Sequence, residues 1–474
     1  MLILSNTTYQ PLYLQLYEQI KQKIASGEMH SGSKLPSKNQ LAKDLNVSKN
    51  TIETAYQQLL AEGYIKSVAR RGFYVEQLEQ YTFDGNKNAL EDIPCPWAAE
   101  ESSQEPPRPF RYDFRNGQMA DTQFPFIIWA KLLNQCVRME QPGILSYQNL
   151  QGEVGLRREI MRYVLEYRGV NCRSEQIVIG AGTQHCLSML CHLLNQHTKT
   201  IAVEEPGYNG TKAVFRNHGF NIIPITVDAD GIRVHELTDS NTNIVYVTPS
   251  NQFPTGAIMS IARRLSLAEW AKKNNGIILE DDYCHLRYNI KPVPSLYSVC
   301  DAQNVVYLGT FSKILSPSLR LSYMILPPML LDSYKKTFSE YNTSVPFLSQ
   351  KALELFMQQG YWERHLRRTV QIYKKKQEFL IRNLINYFGK RIEIYGNNAG
   401  LHLLIKVKCG LTEQQLIDRA AQMEVKVYPV SRYWMRLENY SNDMVLLGFT
   451  GIAENDISRG VELLHRAWLG NSSH

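Results

Sequence analysis

The sequence predicts an α/β chain in three parts: a small N-terminal domain, a linker and a large C-terminal domain. Residues 1–78 contain short helices with capping signals followed by a two-stranded hairpin. Residues 79–110 are rich in Pro, Ser and acidic residues and lack periodicity, which is typical of a tether. Residues 111–474 alternate helical segments with short apolar strands, which predicts a mostly parallel, doubly wound sheet and a smaller α+β lobe.

The bulk composition is that of a globular protein with reduced cysteines. The 474 residues are 44% hydrophobic and 20% charged, which permits a large core and more than one domain. The net charge of +7 permits an anionic partner. The eight cysteines form no Cys-x-x-Cys pair, so we expect neither disulfides nor a metal site. The sequence shows no signal peptide and no membrane-length apolar run, so we expect a cytoplasmic protein without a membrane partner.

The N-terminal domain begins with an amphipathic helical pattern over residues 12–24. Ser37, with Gln40 three residues later, predicts a capping box and the start of a second helix. Ser48 predicts the start of a third helix after a short turn, and two helices joined in this way form a helix-turn-helix. Alternating residues on either side of Arg70 predict two strands, which makes the domain a winged helix-turn-helix.

Polar side chains at the helix starts and at the hairpin tip are candidates for DNA binding. Hydroxyl, amide and ammonium groups at a helix start bond phosphates and base edges in a major groove, and arginines at a wing suit phosphates or a minor groove. The candidate residues are Ser37, Lys38, Asn39, Ser48, Lys49, Asn50, Thr51, Arg70 and Arg71. The alternative is a small helical domain that binds another protein.

Several short motifs resemble the GntR-type winged helix-turn-helix: Pro11-Leu12-Tyr13, Leu35-Pro36-Ser37, Leu41-Ala42, Val47-Ser48-Lys49-Asn50-Thr51, Ala55-Tyr56 and Gly63-Tyr64. The resemblance implies binding to double-stranded operator DNA. Asn39 and Lys49 stand where the family usually has arginine, and lysine keeps the charge but loses the bidentate fork. The operator sequence therefore does not transfer from relatives.

In the large domain, chemically distinct residues follow successive predicted strands, where open α/β sheets bind ligands. The turn Gly180-Ala181-Gly182-Thr183 suits a phosphate. Lys313 follows the strand at residues 305–308, and a lysine there reacts with an aldehyde once desolvation keeps its amine neutral. The groups placed to hold a phosphate near that amine are Thr310, Ser312 and Arg320. The alternatives are a solvated loop lysine and, for Glu280-Asp281-Asp282, a solvated acidic turn.

The order of residue types at successive strand ends resembles that in the fold-type I aminotransferases, which bind pyridoxal phosphate. That order is aromatic, polar, acidic, lysine and arginine. The resemblance spans residues from Tyr112 to Leu469. It implies that Lys313 forms the internal aldimine, that Asp281 pairs with the pyridine nitrogen and that Tyr208 stacks on the ring. The residues implied around the phosphate are Gly182, Thr183, Thr310, Ser312 and Arg320, with Tyr147 reaching the phosphate of the neighbouring subunit. The residues implied near the ring O3′ are Tyr283 and either Asn251 or Gln252.

The effector is less well specified, because the motifs depart from those of the enzymes. The chain has Phe253-Pro254-Thr255-Gly256 where the enzymes usually have Asn-Pro-Thr-Gly. Leu446 and Gly210 stand where relatives carry arginines for a substrate carboxylate. Loss of that fork argues against ordinary transamination, so we expect no catalytic residue beyond the aldimine lysine. Arg432 is the candidate effector-binding residue, with Arg436 beside it, and a surface role for both is the alternative.

The order of the two domains resembles the MocR subfamily of bacterial regulators. The resemblance implies a head-to-tail, domain-swapped homodimer that uses the cofactor for sensing rather than turnover. We therefore expect a pyridoxal phosphate-dependent transcriptional regulator that senses the cofactor itself, or a small amine or amino acid. If the cofactor is the effector, we expect control of vitamin B6 synthesis. The alternative is an active pyridoxal phosphate-dependent aminotransferase with an N-terminal accessory domain.

Overall fold

The computed structural model describes residues 4, 10–77, 110–119, 123–138, 142–195, 199–284, 286–288, 294–300 and 303–470. The predicted linker at 79–110 lies outside the described residues, apart from Phe110. The chain divides into two compact units, Met1–Pro107 and Arg108–His474. No helix among the described residues is both long enough and apolar enough to span a membrane.

The N-terminal unit contains the predicted helices and strands: α1 (Leu12–Ala25), α2 (Lys38–Asp44), α3 (Lys49–Ala61), β1 (Ile65–Val68) and β2 (Gly72–Val75). The Ser37 hydroxyl accepts the backbone N–H of Gln40 at 3.2 Å, and the Ser48 hydroxyl caps α3 in the same way. The reciprocal half of the predicted capping box is absent, because the Gln40 side chain donates to Asp44 at 2.8 Å instead.

A compact apolar core holds this unit together. Leu16 and Ile20 of α1 pack against Ile52 and Tyr56 of α3, and all four are buried. β1 and β2 pair antiparallel, and Arg70 adopts a left-handed conformation with φ 62° in the turn between them. The predicted winged helix-turn-helix is confirmed.

The large unit contains β3 (Tyr112–Asp113), α4 (Phe126–Arg138), α5 (Val154–Arg168), β4 (Ile177–Gly180), α6 (Thr183–Leu194), β5 (Thr200–Glu205), α7 (Asn209–Asn217), β6 (Asn221–Asp228), β7 (Gly231–Ile232), α8 (Val234–Thr238), β8 (Ile244–Val247), α9 (Ile261–Lys273), β9 (Ile277–Asp282), α10 (Leu296–Val299), β10 (Val305–Thr310), β11 (Ser322–Ile325), α11 (Pro328–Thr337), α12 (Phe347–Gln358), α13 (Tyr361–Phe388), β12 (Ile392–Tyr395), β13 (His402–Val407), α14 (Glu413–Gln422), β14 (Val425–Lys426), β15 (Tyr428–Pro429), β16 (Met444–Gly448) and α15 (Glu454–Leu469).

Eight strands form the central sheet in the order β4-β11-β10-β9-β8-β5-β6-β7. The neighbours from β10 to β6 are parallel, which confirms the predicted mostly parallel sheet. β11 runs antiparallel to both β10 and β4. The start of β11 therefore lies at the same edge as the ends of β4 and β10, and this edge holds the candidate site.

Alternate residues of the strands enter two separate apolar cores. Ile179 and Val245 belong to one core, whereas Val178 and Leu308 belong to the other. Because side chains of a strand alternate between faces, a sheet with a core on each face must be covered on both sides. This arrangement confirms the doubly wound architecture.

The C-terminal lobe has its own antiparallel sheet in the order β12-β13-β16-β15. The long helix α13 starts at the predicted residue, Tyr361, and ends one residue beyond the predicted Tyr387. This lobe confirms the predicted smaller α+β unit.

Candidate cofactor site and DNA-binding surface

A cavity of about 200 Å³ lies at the edge of the central sheet described above. It is lined by Asn116, Gly117, Thr183, Gln184, Leu187, Tyr208, Thr211, Tyr246, Thr248, Phe253, Asp281, Tyr283, Thr310, Ser312, Lys313, Pro317, Arg320, Leu401 and His402. The structure thus brings together at one cavity most of the cofactor-binding residues that the sequence predicts.

Lys313 follows the end of β10 and reaches into the cavity. Burial lowers the pKa of its ammonium group, and Arg320 adds to the decrease, while Cys284 and Asp281 oppose it. A Cβ atom built on Gly117 would lie 3.2 Å from the Lys313 Nζ atom, so the backbone approaches the amine closely. The lysine is a desolvated amine, and the solvated loop alternative is wrong.

Asp281 lies inside β9, so its neighbours in sequence point to the other face of the sheet. Glu280 accepts two backbone N–H groups at the start of α10, both at 2.8 Å. Asp282 forms a buried ion pair with Arg168 at 2.7 Å. The alternative of a solvated acidic turn is wrong, because pairing with β10 extends β9 through Asp282.

The Asp281 carboxyl group has one partner and one free oxygen among the described residues. Its Oδ2 atom accepts a hydrogen bond from the Tyr246 hydroxyl, and its Oδ1 atom is buried without a partner. Burial raises the pKa of Asp281 to about 7, and Asp282 adds to the rise, while Tyr246 and Lys313 oppose it. The free oxygen is therefore available to a donor that enters the cavity.

Gly182 and Arg320 form a cradle at the start of α6. Gly182 adopts φ +97°, and a Cβ atom built on it would collide with the Arg320 guanidinium group. Thr183 begins α6, whose first N–H groups favour an anion. The Thr310 hydroxyl contacts the Ser322 hydroxyl at 2.8 Å, and the Ser312 hydroxyl is buried without a partner among the described residues.

An amide and two aromatic residues complete the predicted set. The Asn251 side chain donates to the Tyr283 hydroxyl at 2.8 Å. Gln252 instead donates to the carbonyl groups of Pro206 and Phe253, both at 2.7 Å, so its amide is engaged by backbone groups. Tyr208 lines the cavity and is half-exposed. Of the two alternatives for the O3′ position, the geometry favours Asn251.

The residues around the cavity fit pyridoxal phosphate. The free Oδ1 atom of Asp281 matches a protonated ring nitrogen, and the Gly182–Arg320 cradle matches a phosphate. The desolvated amine of Lys313 matches an aldehyde carbon.

Four predicted residues do not line this cavity: Gly182, Asn251, Tyr147 and Arg432. Gly182 lies against the lining residue Arg320, and Asn251 bonds the lining residue Tyr283. Tyr147 is 91% exposed and is not among the residues that line it. Arg432 is also exposed, and its guanidinium group lies 5.5 Å from the centroid of the Tyr433 ring. Leu446 is buried in an apolar cluster with Phe253 and Leu404.

The sequence did not assign eleven of the cavity-lining residues to the site, among them Asn116, Tyr246, Phe253 and His402. Tyr246 and His402 are polar side chains in otherwise apolar strands, and this contrast could have marked them as site residues. Asn116 lies in an irregular segment, where the sequence gives no signal of position. Phe253 was noted only as a departure from a motif.

The DNA-binding candidates form an exposed set on the N-terminal unit, with exceptions. Lys49 and Asn50 are exposed at the start of α3, and Asn39 is exposed on α2. Arg70 and Arg71 are exposed at the hairpin tip. Other candidates have structural partners: Lys38 pairs with Glu53 at 2.6 Å, and the hydroxyls of Ser48 and Thr51 are 2.8 Å apart.

Comparisons with known proteins agree with both units. Residues 12–75 match the family model of bacterial regulatory proteins of the gntR family, and residues 112–439 match that of aminotransferase class I and II. An archaeal alanine:glyoxylate aminotransferase of known structure is 22% identical, with a TM-score of 0.69 over 76% of this chain and 91% of that chain, which shows the fold.

Two full-length relatives have both domains in their matched length. The uncharacterised HTH-type transcriptional regulator YdeL of Bacillus subtilis is 38% identical over 98% of this chain and 98% of its own. The probable rhizopine catabolism regulatory protein MocR of Rhizobium meliloti is 31% identical over 100% of this chain and 97% of its own. Together with the fit of the cavity residues, the family matches support the predicted cofactor, pyridoxal phosphate. This chain therefore belongs to the MocR subfamily of GntR-type transcriptional regulators, in which a helix-turn-helix domain precedes an aminotransferase class I and II domain.

Proposed function

We propose that this chain is a pyridoxal phosphate-dependent transcriptional regulator of the bacterial cytoplasm, whose large domain senses the cofactor or a small amine. The observation that carries the proposal is that one chain has both an exposed helix start for DNA and a cavity where Lys313, Asp281 and Arg320 converge. Control of vitamin B6 synthesis follows if the cofactor alone is the effector.

Several residues at the cavity have a role toward the cofactor. The Gly182–Arg320 cradle, with Thr183, Thr310 and Ser312, holds the phosphate. Asp281 holds a proton at the ring nitrogen, and Tyr246 orients the Asp281 carboxyl group. Bound pyridoxal phosphate supplies an aldehyde carbon that reacts reversibly with primary amines. Lys313 supplies the amine of the protein, and Asn251 orients the Tyr283 hydroxyl.

Binding in the cavity changes DNA affinity if two arrangements of the large domain differ in ligand affinity. A ligand shifts an equilibrium between two states only by that difference. The distance between the two DNA-binding domains of a dimer then differs between the two states, and this difference couples ligand binding in the cavity to operator binding.

We extend the proposal to a head-to-tail, domain-swapped homodimer. Ile127, Leu145 and Tyr147 are 88%, 94% and 91% exposed, and such an interface would cover large apolar side chains of this kind. In such a dimer, Tyr147 of each subunit contacts the phosphate held by the other subunit.

Mixing two variants tests the dimer. We expect Lys313→Ala and Tyr147→Ala each to bind pyridoxal phosphate poorly, and the mixed dimers to regain tight binding in one of their two sites. The restored site of each mixed dimer combines the intact Lys313 of one subunit with the intact Tyr147 of the other. A mixture that binds no better than the separate variants contradicts the shared site.

Absorbance spectroscopy tests the cofactor part of the proposal. We expect purified full-length protein to show the long-wavelength band of lysine-bound pyridoxal phosphate, and Lys313→Ala to lack it. Lys336→Ala is the matched control, because Lys336 is an exposed lysine on α11. Retention of the band in Lys313→Ala contradicts the assignment of the lysine.

A second candidate function is that of an active aminotransferase, which the fold shared with an archaeal alanine:glyoxylate aminotransferase favours. Steady-state and single-turnover assays over a panel of amino acids, with added keto acid, test it. We expect no turnover, because Leu446 is buried among apolar residues and Gly210 has no side chain to hold a carboxylate. Turnover that disappears in Lys313→Ala would favour the enzyme.

A further inference from the structure

One part of the cavity wall consists of two six-membered aromatic rings and an imidazole, and a third six-membered ring packs against them. The Phe253 ring lies 5.7 Å from the Tyr208 ring, 5.1 Å from the His402 ring and 4.8 Å from the Tyr433 ring, measured between centroids. Tyr208, Phe253 and His402 line the cavity directly. We call these four residues the aromatic wall.

The aromatic wall is electrically neutral. Burial lowers the pKa of His402 to about 4, although a hydrogen bond to Pro254 opposes the decrease. The His402 Nε2 atom lies 2.9 Å from the Pro254 carbonyl oxygen, and it carries the hydrogen because a carbonyl only accepts. His402 is therefore an uncharged imidazole that is fixed by the loop carrying Phe253.

An apolar cluster supports the wall. Phe253 packs with Leu404, Val430 and Leu446, and all four residues are buried. Leu446 lies in β16 and pairs with Tyr428 on one side and Leu404 on the other. Any group seated against Phe253 thus meets rings first and aliphatic side chains beyond them.

Among the described residues, the cations that line the cavity or contact the aromatic wall are Lys313, Arg320, Lys212 and Arg432. Lys313 and Arg320 line the cavity at the positions for the aldehyde and the phosphate. Lys212 is buried, donates to the Tyr433 carbonyl at 2.6 Å and pairs with Glu205 at 3.5 Å. Arg432 is exposed and stands over the Tyr433 ring, outside the residues that line the cavity.

We infer that the effector is a primary amine with an apolar or aromatic body and no carboxylate. The inference rests on the proposed function and names the ligand class of the same site. The faces of aromatic rings carry negative potential, which favours apolar and cationic groups and disfavours anions. A carboxylate desolvated against this wall without a cation would be destabilised.

Bound pyridoxal phosphate would supply an aldehyde carbon for reversible chemistry with the amine, and Lys313 is the protein group that the amine would displace. The C=N bond to the lysine nitrogen would break as a C=N bond to the nitrogen of the incoming amine forms. Two protons would pass from the incoming ammonium to the lysine nitrogen, so atoms and charge balance. The body of the amine then contacts the aromatic wall.

A matched pair of probes tests the inference, because phenethylamine and L-phenylalanine differ by one carboxylate. Each is titrated into the full chain loaded with pyridoxal phosphate, and both the cofactor absorbance and the affinity for DNA of the chain's own upstream region are measured. We expect phenethylamine to act at concentrations at least about tenfold lower than L-phenylalanine, because the carboxylate of L-phenylalanine would lose its hydration without gaining a cationic partner.

Two variants sharpen the test. Leu446→Arg puts a cation behind Phe253, so we expect it to remove or reverse the preference for phenethylamine, with circular dichroism and cofactor absorbance to check folding. Arg432→Ala removes the exposed arginine beside the wall, and we expect the preference to persist. If Leu446→Arg does not fold, Arg432→Ala and the wild-type comparison decide the matter.

Three results would overturn the inference: equal or tighter binding of L-phenylalanine, no response to either amine, or loss of L-phenylalanine binding in Arg432→Ala. Failure of the proposed function is distinguishable from these. It would appear before any amine is added, as missing cofactor absorbance or as missing DNA binding.

Discussion

We expect the protonation of Asp281 to control how well the cavity holds pyridoxal phosphate. Its folded-state pKa of about 7 lies above the ordinary value for an aspartate, because burial disfavours the charged form. The carboxyl group is therefore increasingly ionised as the pH rises through 7. Only the ionised form stabilises a protonated ring nitrogen, and the neutral amine of Lys313 also becomes more abundant with rising pH. Affinity for pyridoxal phosphate should thus increase with pH across the neutral range.

Tyr246→Phe tests this dependence. The Tyr246 hydroxyl donates to Asp281 and lowers the pKa of its carboxyl group, so its removal should raise that pKa further. We expect weaker pyridoxal phosphate binding at neutral pH and a midpoint of the affinity-pH curve that moves upward, measured by absorbance titration. Tyr334→Phe is the control, because the Tyr334 hydroxyl bonds the Leu150 carbonyl away from the cavity lining. An unchanged midpoint in Tyr246→Phe would contradict the role of the pair.

Gly182→Ala tests the phosphate cradle. A methyl group there collides with Arg320, and the backbone at φ +97° disfavours any side chain. We expect at least about a tenfold loss of affinity for pyridoxal phosphate, as one charge-assisted contact to the phosphate is displaced. Gly219→Ala is the control: φ is +80° with nothing within 4 Å, so it has a similar backbone strain without a collision. Equal losses in both variants would assign the effect to strain alone.

The positions of individual site residues were predictable where the residue directly follows a predicted strand. Lys313 and Gly182 follow strands whose bounds the apolar pattern predicts well. Tyr246 and His402 were missed, because the direction of a side chain inside a strand depends on register with its neighbours. Asp281 was selected by resemblance, since the apolar pattern stops at Leu279 and only pairing with β10 extends β9 to Asp282.

Secondary-structure elements with local signals were predictable from sequence. Ser37 and Ser48 cap helices as expected, because a cap depends only on residues within one turn. β6 was not predicted, and Pro224 within it weakens the strand signal. The antiparallel direction of β11 was not predicted either, because no local pattern encodes the direction of a buried strand.

The hairpin of β1 and β2 makes a testable contribution to DNA binding. Arg70 and Arg71 are exposed at its tip, and no ion pair involves them among the described residues. We expect Arg70→Ala with Arg71→Ala to weaken operator binding and to reduce the slope of log affinity against log salt by about one for each DNA phosphate that the variant no longer neutralises. Fluorescence anisotropy over a salt series measures this slope.

Lys66→Ala is the matched control for the hairpin. Lys66 lies in β1 but pairs with Glu76 at 2.8 Å, so its charge is partly neutralised. We expect a smaller change in slope than for the arginines. If the double arginine variant has the same salt slope as wild type, the hairpin does not contact the DNA phosphates.

At the scale of the molecule, the sequence revealed the order of the two domains but not the long-range contacts inside the larger one. Segments far apart in sequence close the large unit: the Tyr428 hydroxyl donates to Asp113 at 2.7 Å, and the Gly448 N–H donates to the Phe114 carbonyl at 2.8 Å. These contacts carry Asn116 and Gly117 to the cavity. Their register depends on the assembled fold, so no local sequence pattern predicts them.

The proposed function requires that a cofactor held at Lys313 controls binding to DNA. The most direct test measures the affinity of the full-length chain for its own upstream region by fluorescence anisotropy, with and without pyridoxal phosphate. Wild type and Lys313→Ala are compared. We expect pyridoxal phosphate to change the DNA affinity of wild type and to leave that of Lys313→Ala unchanged. An equal response in both proteins, or no response in wild type, would show that a cofactor held at Lys313 does not control DNA binding.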